Sequence, residues 1–503
     1  MKIAIVGGGT AGWLSAAYFS KHFSNYDVTL IEDPNTPTIG VGESVTPHVL
    51  DFILKLGINE AQWMKETGAI HKLANRFIDW RYPGHSEYFS FTYPFPDKYI
   101  DTDDGHPKNF QEYLKDADAT TLDAFTLLYN KGKVDKFDKF FNPQYSYMED
   151  RTYHSNNLLQ PHGISHHIDA IKTADFLKKH VAIPNGTCHI RDKVVSKEFD
   201  GTRIISLILE SGQAIKADYF LDCTGFRREI IKDLDPEFQK YDYPIDRAIV
   251  GRSLYLDPKK DLTNYTQTRA KKHGWQFGVT LQTRQGNGYC FSSDLSNVDE
   301  VYDDFLWNVQ TEPREIKWEP GRLNYPCISN VIAIGLSAGF VEPLEANNLY
   351  VIIRTIHLAE KFLEDAKRGI ERHSEFNLSI RDSLDDVKDF LIVHYTLADR
   401  SDSAFWQEMS YLGKKLNHED LVRSKIVDKK NSMYAAFCAE TMFPNYMWTQ
   451  LAMSWNISIP IINKKYKFSE DMYLEYFKKQ YNRHKFLSEN SQKYYKFIKK
   501  YAS

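Results

Sequence analysis

The sequence is poor in the features that mark specialised protein classes. Of its 503 residues only five are cysteine, at positions 188, 223, 290, 327 and 438; the number is odd and the spacing is wide, with no Cys-x-x-Cys pair. That speaks against a disulfide framework or a zinc ribbon and fits a reducing cytosol, so a cytoplasmic location is expected. No run of 18 apolar residues occurs, so no segment is expected to span a bilayer. Neither sign of charge dominates: 63 Lys and Arg stand against 67 Asp and Glu. No whole-chain field therefore favours nucleic acid or an acidic membrane. With 26 Gly, 19 Pro and 42% hydrophobic residues the chain is neither collagen-like nor disordered. Internal repeats and low-complexity linkers are absent. The opening MKIAIVGGGTAGW carries the lysine and apolar run of a secretion signal, but three glycines interrupt that run, and no signal is expected.

What is present begins with those glycines. Lys2–Val6 is a short apolar run, Gly7–Gly9 a turn, and Thr10–Phe23 has helical spacing of Ala11, Leu14, Ala17 and Tyr18. Asp27–Ile31 is a second β-rich run, which completes a β-α-β unit and implies a parallel sheet. Gly7-x-Gly9-x-x-Gly12 therefore lies between a strand and a helix. Gly7 allows the tight turn, Gly9 lets backbone N–H groups approach a pyrophosphate, and Gly12 lets helix and strand pack closely. Thr10 and Ala11 open the helix, whose N-terminus favours anions. Glu32 follows Gly12 by twenty residues, where a carboxylate accepts ribose hydroxyls and disfavours a 2′-phosphate. The bland alternative is a purely structural glycine turn. A second fingerprint of this type, expected of an enzyme that reduces its own flavin with nicotinamide, is missing.

Further along, Arg81–Asn157 is rich in aromatics, Pro, Asp and Gly and reads as long loops, of the kind that line sites. Tyr219–Leu221 and Asn330–Gly335 read as buried strands, and a helix is expected near Leu349–Phe362. From about Ser374 the helical period dominates. Residues 1–370 are taken as a core with substrate-side loops inserted at about 81–160, and 371–503 as a mainly helical region covering the substrate. The tail Lys464–Ser503 holds eleven Lys or Arg against four Asp or Glu. Its ordinary reading is a solvated helical surface that packs Tyr473, Tyr476, Phe477, Phe486 and Tyr494; a polyanion-binding tail is the sharper one. His71 and the adjacent His166 and His167 invite a metal, but neighbouring histidines point apart and no third ligand has metal-site spacing, so no metal is expected.

Six segments carry a family resemblance. GGGTAGW at Gly7–Trp13, GVGESVTP at Gly40–Pro47, KLANRFIDWR at Lys72–Arg81 and GFVEPLEANNLY at Gly339–Tyr350 are similar to the flavin-dependent halogenases, the tryptophan-halogenase-like family. HHIDAIKTADFL and GNGYCFSS add weaker similarity. In addition, ADYFLDCTG at Ala217–Gly225 and NVIAIGLSAG at Asn330–Gly339 look like the second and third cofactor segments of FAD-dependent hydroxylase folds. The resemblance implies an α/β, FAD-binding, glutathione-reductase-2 or hydroxylase-like Rossmann fold with an added helical C-terminal region. It implies FAD contacts at Gly42, Glu43, Ser44, Asp222, Gly225, Gly335 and Leu336, beside those of the first turn. It also implies FADH2 supplied by a separate, transiently acting flavin reductase, and a halide. Reduced flavin and O2 oxidise halide to hypohalous acid. The resemblance implies that Lys72 is the amine that holds this oxidant and that Glu345 is the carboxylate that stabilises the cationic ring and takes its proton. Read without the family, Lys72 is a surface lysine and Glu345 a helix N-terminal acid.

Departures bear on specificity. The family's W-x-W-x-I-P segment, associated with keeping activated flavin from the organic substrate, reads WQFGVT at Trp275–Thr280. Erosion of this segment keeps an alternative open on the same fold, a FAD-dependent aromatic monooxygenase. A flavin-binding protein without catalysis is a third reading. After Glu345 the tryptophan-specific members have Ser-Thr-Gly where this chain has Ala346-Asn347-Asn348, so Asn347 and Asn348 are the candidate halide contacts. The comparable substrate stretch PNYMWTQLAMSWNI lacks adjacent tyrosines, though Tyr446, Trp448 and Trp455 could line an aromatic slot. The expected substrate is a small electron-rich ring such as an indole or phenol rather than free tryptophan, with a carrier-tethered one and a homo-oligomer both left open. The Lys-, Asn- and Tyr-rich composition suggests an AT-rich, phage-type genome.

Overall fold

The structure, a computed structural model, describes residues 1–36, 40–90, 131, 165–305, 311–396, 398–428, 441–454, 457 and scattered positions within 471–501. The expected β-α-β unit is present: strand Lys2–Val6, helix Thr10–His22 and strand Asp27–Glu32. These strands lie at the middle of a six-stranded sheet. Its order is Cys327–Ile328, Val331–Ala333, Tyr219–Asp222, Lys2–Val6, Asp27–Glu32 and Cys188–Arg191. All pairings are parallel except at the Cys327 edge. The central strands are buried on both faces, which explains their near-continuous apolar runs.

A second, seven-stranded sheet carries the other wall of the molecule. It runs Arg314–Lys317, Arg247–Leu254, Arg284–Phe291, Gly274–Thr280, Tyr265–Lys271, Ala74–Ile78 and Ser86–Ser90. Between the large sheets sits a small antiparallel one made of Glu43–Ser44, Ser165–Ile168 and Ile70–Lys72. Lys72 is the last residue of its strand in the small sheet, and Ala74 is the first of its strand in the seven-stranded one. The intervening Leu73 is fixed by its N–H to Asn264 O at 2.8 Å.

Long helices Asn348–Ala366 and His373–Thr396 follow, then shorter ones at Ala404–Lys415, His418–Val427, Asn445–Ser454 and Tyr494–Tyr501. Their apolar faces join one hydrophobic core that runs from Ile3 to Ile498. Of the aromatics expected to pack the tail, Tyr494 is buried, and the other four lie outside the described residues. The cysteines at 188, 223, 290 and 327 are free; the fifth, at 438, also lies outside. No described helix is long and apolar enough to cross a membrane.

Candidate functional site

The glycine turn has the shape a dinucleotide needs. Gly7 sits at φ +120°, and a Cβ there would lie 2.3 Å from Cys223 O. A Cβ on Gly12 would lie 1.9 Å from Gly7 O, so only glycine lets this helix start so near its strand. Gly9 is the N-cap of the helix, with no side-chain cap and nothing within 4 Å of an added Cβ. Open space and uncapped N–H groups thus coincide at a positive helix end, which fits a pyrophosphate. Thr10 and Ala11 are half-buried at that end. Glu32 ends its strand beside Gly8 and accepts from His189 Nε2 at 2.8 Å, while Trp13 packs edge-on against the same imidazole at 5.0 Å. His189, which carries no signal in the sequence, braces the acid.

Asp222 organises the turns at which cofactor contacts are expected. It is fully buried, and both of its oxygens are taken. Oδ1 accepts from the Thr224 N–H and hydroxyl and from Ser337 Oγ, and Oδ2 from the N–H groups of Ile230 and Ile231. Asp222 therefore ties the Gly225 turn to the Gly335–Ser337 turn. Gly225 and Gly335 occupy the left-handed region at φ +68° and +70°, and Leu336 is half-buried beside them.

Lys72 lies entirely inside the protein, its side chain 0% exposed. The solvated face that its alternating segment allowed does not exist, because Leu73, Asn75 and Phe77 are buried as well. Strand alternation explains the placement. His71 pairs with His166 and Lys72 with Ser165, so the two pairs point to opposite faces of the small sheet. On the Lys72 face, Lys72 Nζ donates to Val45 O at 3.4 Å, and Ser165 Oγ donates to the same carbonyl. On this face too, His167 Nε2 meets Thr266 Oγ1 at 2.8 Å, and Thr266 Oγ1 meets Ser44 Oγ at 2.9 Å. Burial lowers the Lys72 pKa to about 7, against the attraction of Glu345. Burial and the charge of Lys72 together hold His167 neutral, at about 3. Glu43, beside Ser44, is raised to about 7 by burial and by Asp169, and Gly42 before it adopts φ +132°.

Glu345 stands opposite this face on a strained turn. It and Ala346 adopt φ +61° and +57°, a left-handed pair with no glycine. The turn packs against the Glu43–Ser44 strand, joining the implied flavin loop to the carboxylate. Glu345 is buried, with Oε2 accepting from Asn75 Nδ2 at 2.8 Å and Oε1 lying 3.6 Å from His394 Nε2. Burial raises its pKa to about 7, opposed by Lys72 and Asn75. His394 bonds its Nδ1 to Phe390 O at 2.8 Å and is lowered to about 4 by burial. An amine and an acid, both buried and electrostatically coupled, are thus held by two separate elements. Asn75 sits in the Lys72 segment and was visible there only as one of an alternating set; His394 had no signal in the sequence.

The comparisons with known proteins are consistent across the chain. The family model "Tryptophan halogenase" matches residues 2–465. The chain belongs to the tryptophan halogenase family. Tryptophan 6-halogenase ThaL of Streptomyces albogriseolus is 30% identical over 441 residues, 84% of this chain and 81% of that one. Tryptophan 7-halogenase RebH of Lentzea aerocolonigenes is 30% identical over 443 residues, with the same coverage of both chains. Among solved structures, Xcc4156, a flavin-dependent halogenase from Xanthomonas campestris, superposes with a TM-score of 0.78 at 25% identity, covering 99% of this chain and 98% of that one. The α/β, FAD-binding fold is that of these halogenases, and with it come FAD as cofactor and halide as co-substrate.

Within this halogenase fold the departures acquire physical reasons. WQFGVT forms the buried strand Gly274–Thr280 of the large sheet. Trp275 donates Nε1–H to Glu342 Oε2 at 2.8 Å, and Glu342 also accepts from Tyr395 at 2.7 Å and from Tyr243. Phe277, in the place of the second family Trp, rests on Gly288, where a Cβ would meet the ring at 2.2 Å. Asn347 is buried and is the N-cap of helix Asn348–Ala366, which has no side-chain cap and no acid in its first turn. Its Nδ2 has no hydrogen-bond partner among the described residues. Asn348 begins the helix proper.

Of the aromatics expected to line a slot, Trp448 lies within the described residues. It is 1% exposed and packs edge-on into Phe390 at 4.9 Å, behind His394, as a core residue. Trp455, the Tyr446 side chain and nearly all of the expected 81–160 loops lie outside the described residues. The third ligand that sequence spacing did not supply for His71 and His166 is present in space: Glu60 lies beside both.

Proposed function

We propose that this halogenase uses FADH2 delivered by a separate flavin reductase, with O2 and halide, to halogenate small electron-rich aromatics such as indoles or phenols. The supporting observation is the buried, coupled pair of Lys72 amine and Glu345 carboxylate. Bound reduced FAD, with O2, supplies the two-electron oxidant that turns halide into hypohalous acid.

Everything after that belongs to the chain's own residues. Desolvation leaves Lys72 a neutral nucleophile at ordinary pH. Its nitrogen takes the halogen as the O–X bond breaks, and water leaves with the amine proton. An aromatic carbon then takes the halogen from nitrogen, whose lone pair returns. The ring becomes cationic, Glu345 stabilises it and accepts its proton, and the lysine nitrogen regains one. Asn75 orients the carboxylate. The uncapped Asn347–Asn348 helix end and Asn347 Nδ2 offer the halide its donors. Missing adjacent tyrosines at Pro444–Ile457 favour a ring without an amino-acid handle. Because iodide and bromide are oxidised more easily than chloride, they are the favoured halides.

The test is incubation with FAD, a flavin reductase, NADH, O2, bromide or iodide, and indole, followed by mass spectrometry. A haloindole that disappears in Lys72→Ala while FAD binding persists supports the proposal. Undiminished haloindole in that variant removes Lys72 from the mechanism. Hydroxylated product formed without halide would instead point to a monooxygenase.

A further inference from the structure

The face of the small sheet turned away from Lys72 holds a cluster that the halogenation chemistry leaves unused. His71 and His166 are cross-strand partners and fully buried, with ring centroids 5.1 Å apart. Glu60, the first residue of helix Glu60–Thr67, brings one oxygen to both rings. Oε1 lies 2.8 Å from His166 Nε2 and 3.4 Å from His71 Nε2. Two imidazoles and a carboxylate thus present ligand atoms that all lie within 4.8 Å of one another. We infer that Glu60, His71 and His166 form a site for a divalent transition-metal ion of the zinc class.

The geometry and the surroundings carry this. Zinc bonds of about 2.0–2.1 Å in a tetrahedron put neighbouring ligand atoms roughly 3.3 Å apart. The Glu60 oxygen already stands at that spacing from His71 and about half an ångström closer than it to His166, and the three ligand atoms together lie within 4.8 Å. The donor set, two imidazoles and one carboxylate, is one that zinc accepts and that magnesium and calcium do not prefer. An outer layer orients the ligands. Tyr494 Oη lies 3.2 Å from His71 Nδ1, so in the tautomer that gives this proton to the tyrosine, Nε2 turns its lone pair toward Glu60. Tyr501 donates to Glu60 Oε2 at 3.3 Å. Trp63 packs at 5.0 Å from His166 and supplies an apolar wall. Both tyrosines come from the final helix, so an ion here fastens that helix, helix Glu60–Thr67 and the strand that ends in Lys72 to one point. The inference is independent of substrate, halide and the chemistry at Lys72.

The full-length protein is stripped with a chelator, dialysed against zinc chloride and analysed for bound metal by mass spectrometry. About one equivalent is expected in the wild type, with at least an approximately tenfold loss of affinity in Glu60→Gln and in His166→Gln. FAD binding and circular dichroism should stay unchanged. Zinc should raise the wild-type melting temperature and not that of the variants. Cobalt(II) in place of zinc should give the strong visible absorption of a tetrahedral centre in the wild type alone. Absence of stoichiometric metal in the wild type, or equal uptake by the variants, overturns the site and leaves a hydrogen-bonded His–Glu–His clamp. If the variants do not fold, anomalous diffraction at the zinc edge on wild-type crystals decides, by showing or failing to show the ion among these three residues.

Discussion

At the residue scale the site turns on two shifted proton affinities. Lys72 is pushed down to about 7 and Glu345 up to about 7, both by burial. Halogen transfer needs the amine neutral and the carboxylate ionised, so both must have lost their protons. Raising the pH through 7 removes a proton from each, and lowering it restores one. The single-turnover halogenation rate is therefore expected to rise with pH through an apparent value near 7 that belongs to the pair, not to either residue. Glu345→Gln keeps the shape and removes the base; product formation should fall by roughly 10²–10⁴, read in single-turnover experiments with FAD binding unaltered. Lys72→Met removes a buried amine that folding must desolvate. The variant should be inactive yet melt no lower than the wild type by calorimetry. Lower thermal stability would mean that the amine holds the fold together as well as the halogen.

At the element scale, backbone turns decide where charges go. Gly12→Ala places a methyl group 1.9 Å from Gly7 O and so must separate helix from strand. FAD affinity, followed by flavin fluorescence, should drop by more than an order of magnitude. Gly288→Ala pushes against the Phe277 ring at 2.2 Å, and a destabilisation of about 1–3 kcal/mol is expected in thermal melts. The first β-α-β unit was legible because strand, glycines, helix and acid occur in register within 32 residues, each with a local physical reason. The strands at Tyr219 and Val331 and the long helix after Glu345 were legible from their apolar periods. Lys72 and Glu345 were legible only through family resemblance, since alternation around Lys72 fits a solvated edge equally well. Burial there comes with partners far along the chain, Val45, Ser165 and Glu345, a non-local fact. For the same reason His394, His189 and Glu60 escaped notice: each acts through a partner dozens to hundreds of residues away. For Trp448 the sequence offers a core and a slot alike, because an aromatic suits both.

At the scale of the whole molecule, the proposed mechanism puts oxidant formation and oxidant use on different elements that share one large core. Hypohalous acid that stays inside should be inaccessible to solutes. A bulky water-soluble trap for free hypohalous acid is therefore expected to leave haloindole formation within about twofold in the wild type. In Lys72→Ala the same trap should collect the halogen. Product that declines in proportion to trap in the wild type would mean that the oxidant escapes before it is used. The glutamate turn and the histidine strand are joined through the Glu43–Ser44 strand, which touches the first on one side and the second on the other.

The three-residue strand Ile70–Lys72 carries one further implication. Which compartment receives the amine is settled by parity alone. Inserting or deleting one amino acid between Gly68 and Ile70, without changing any other, slides the strand by a single step. The lysine amine then turns to the face that His71 and His166 share, and a histidine takes the face where the proposed mechanism delivers halogen. Every residue of the catalytic inventory would survive such a frameshift in register, and the reaction would not. For an enzyme of this design, odd and even positions are as much a part of the active site as the side chains themselves.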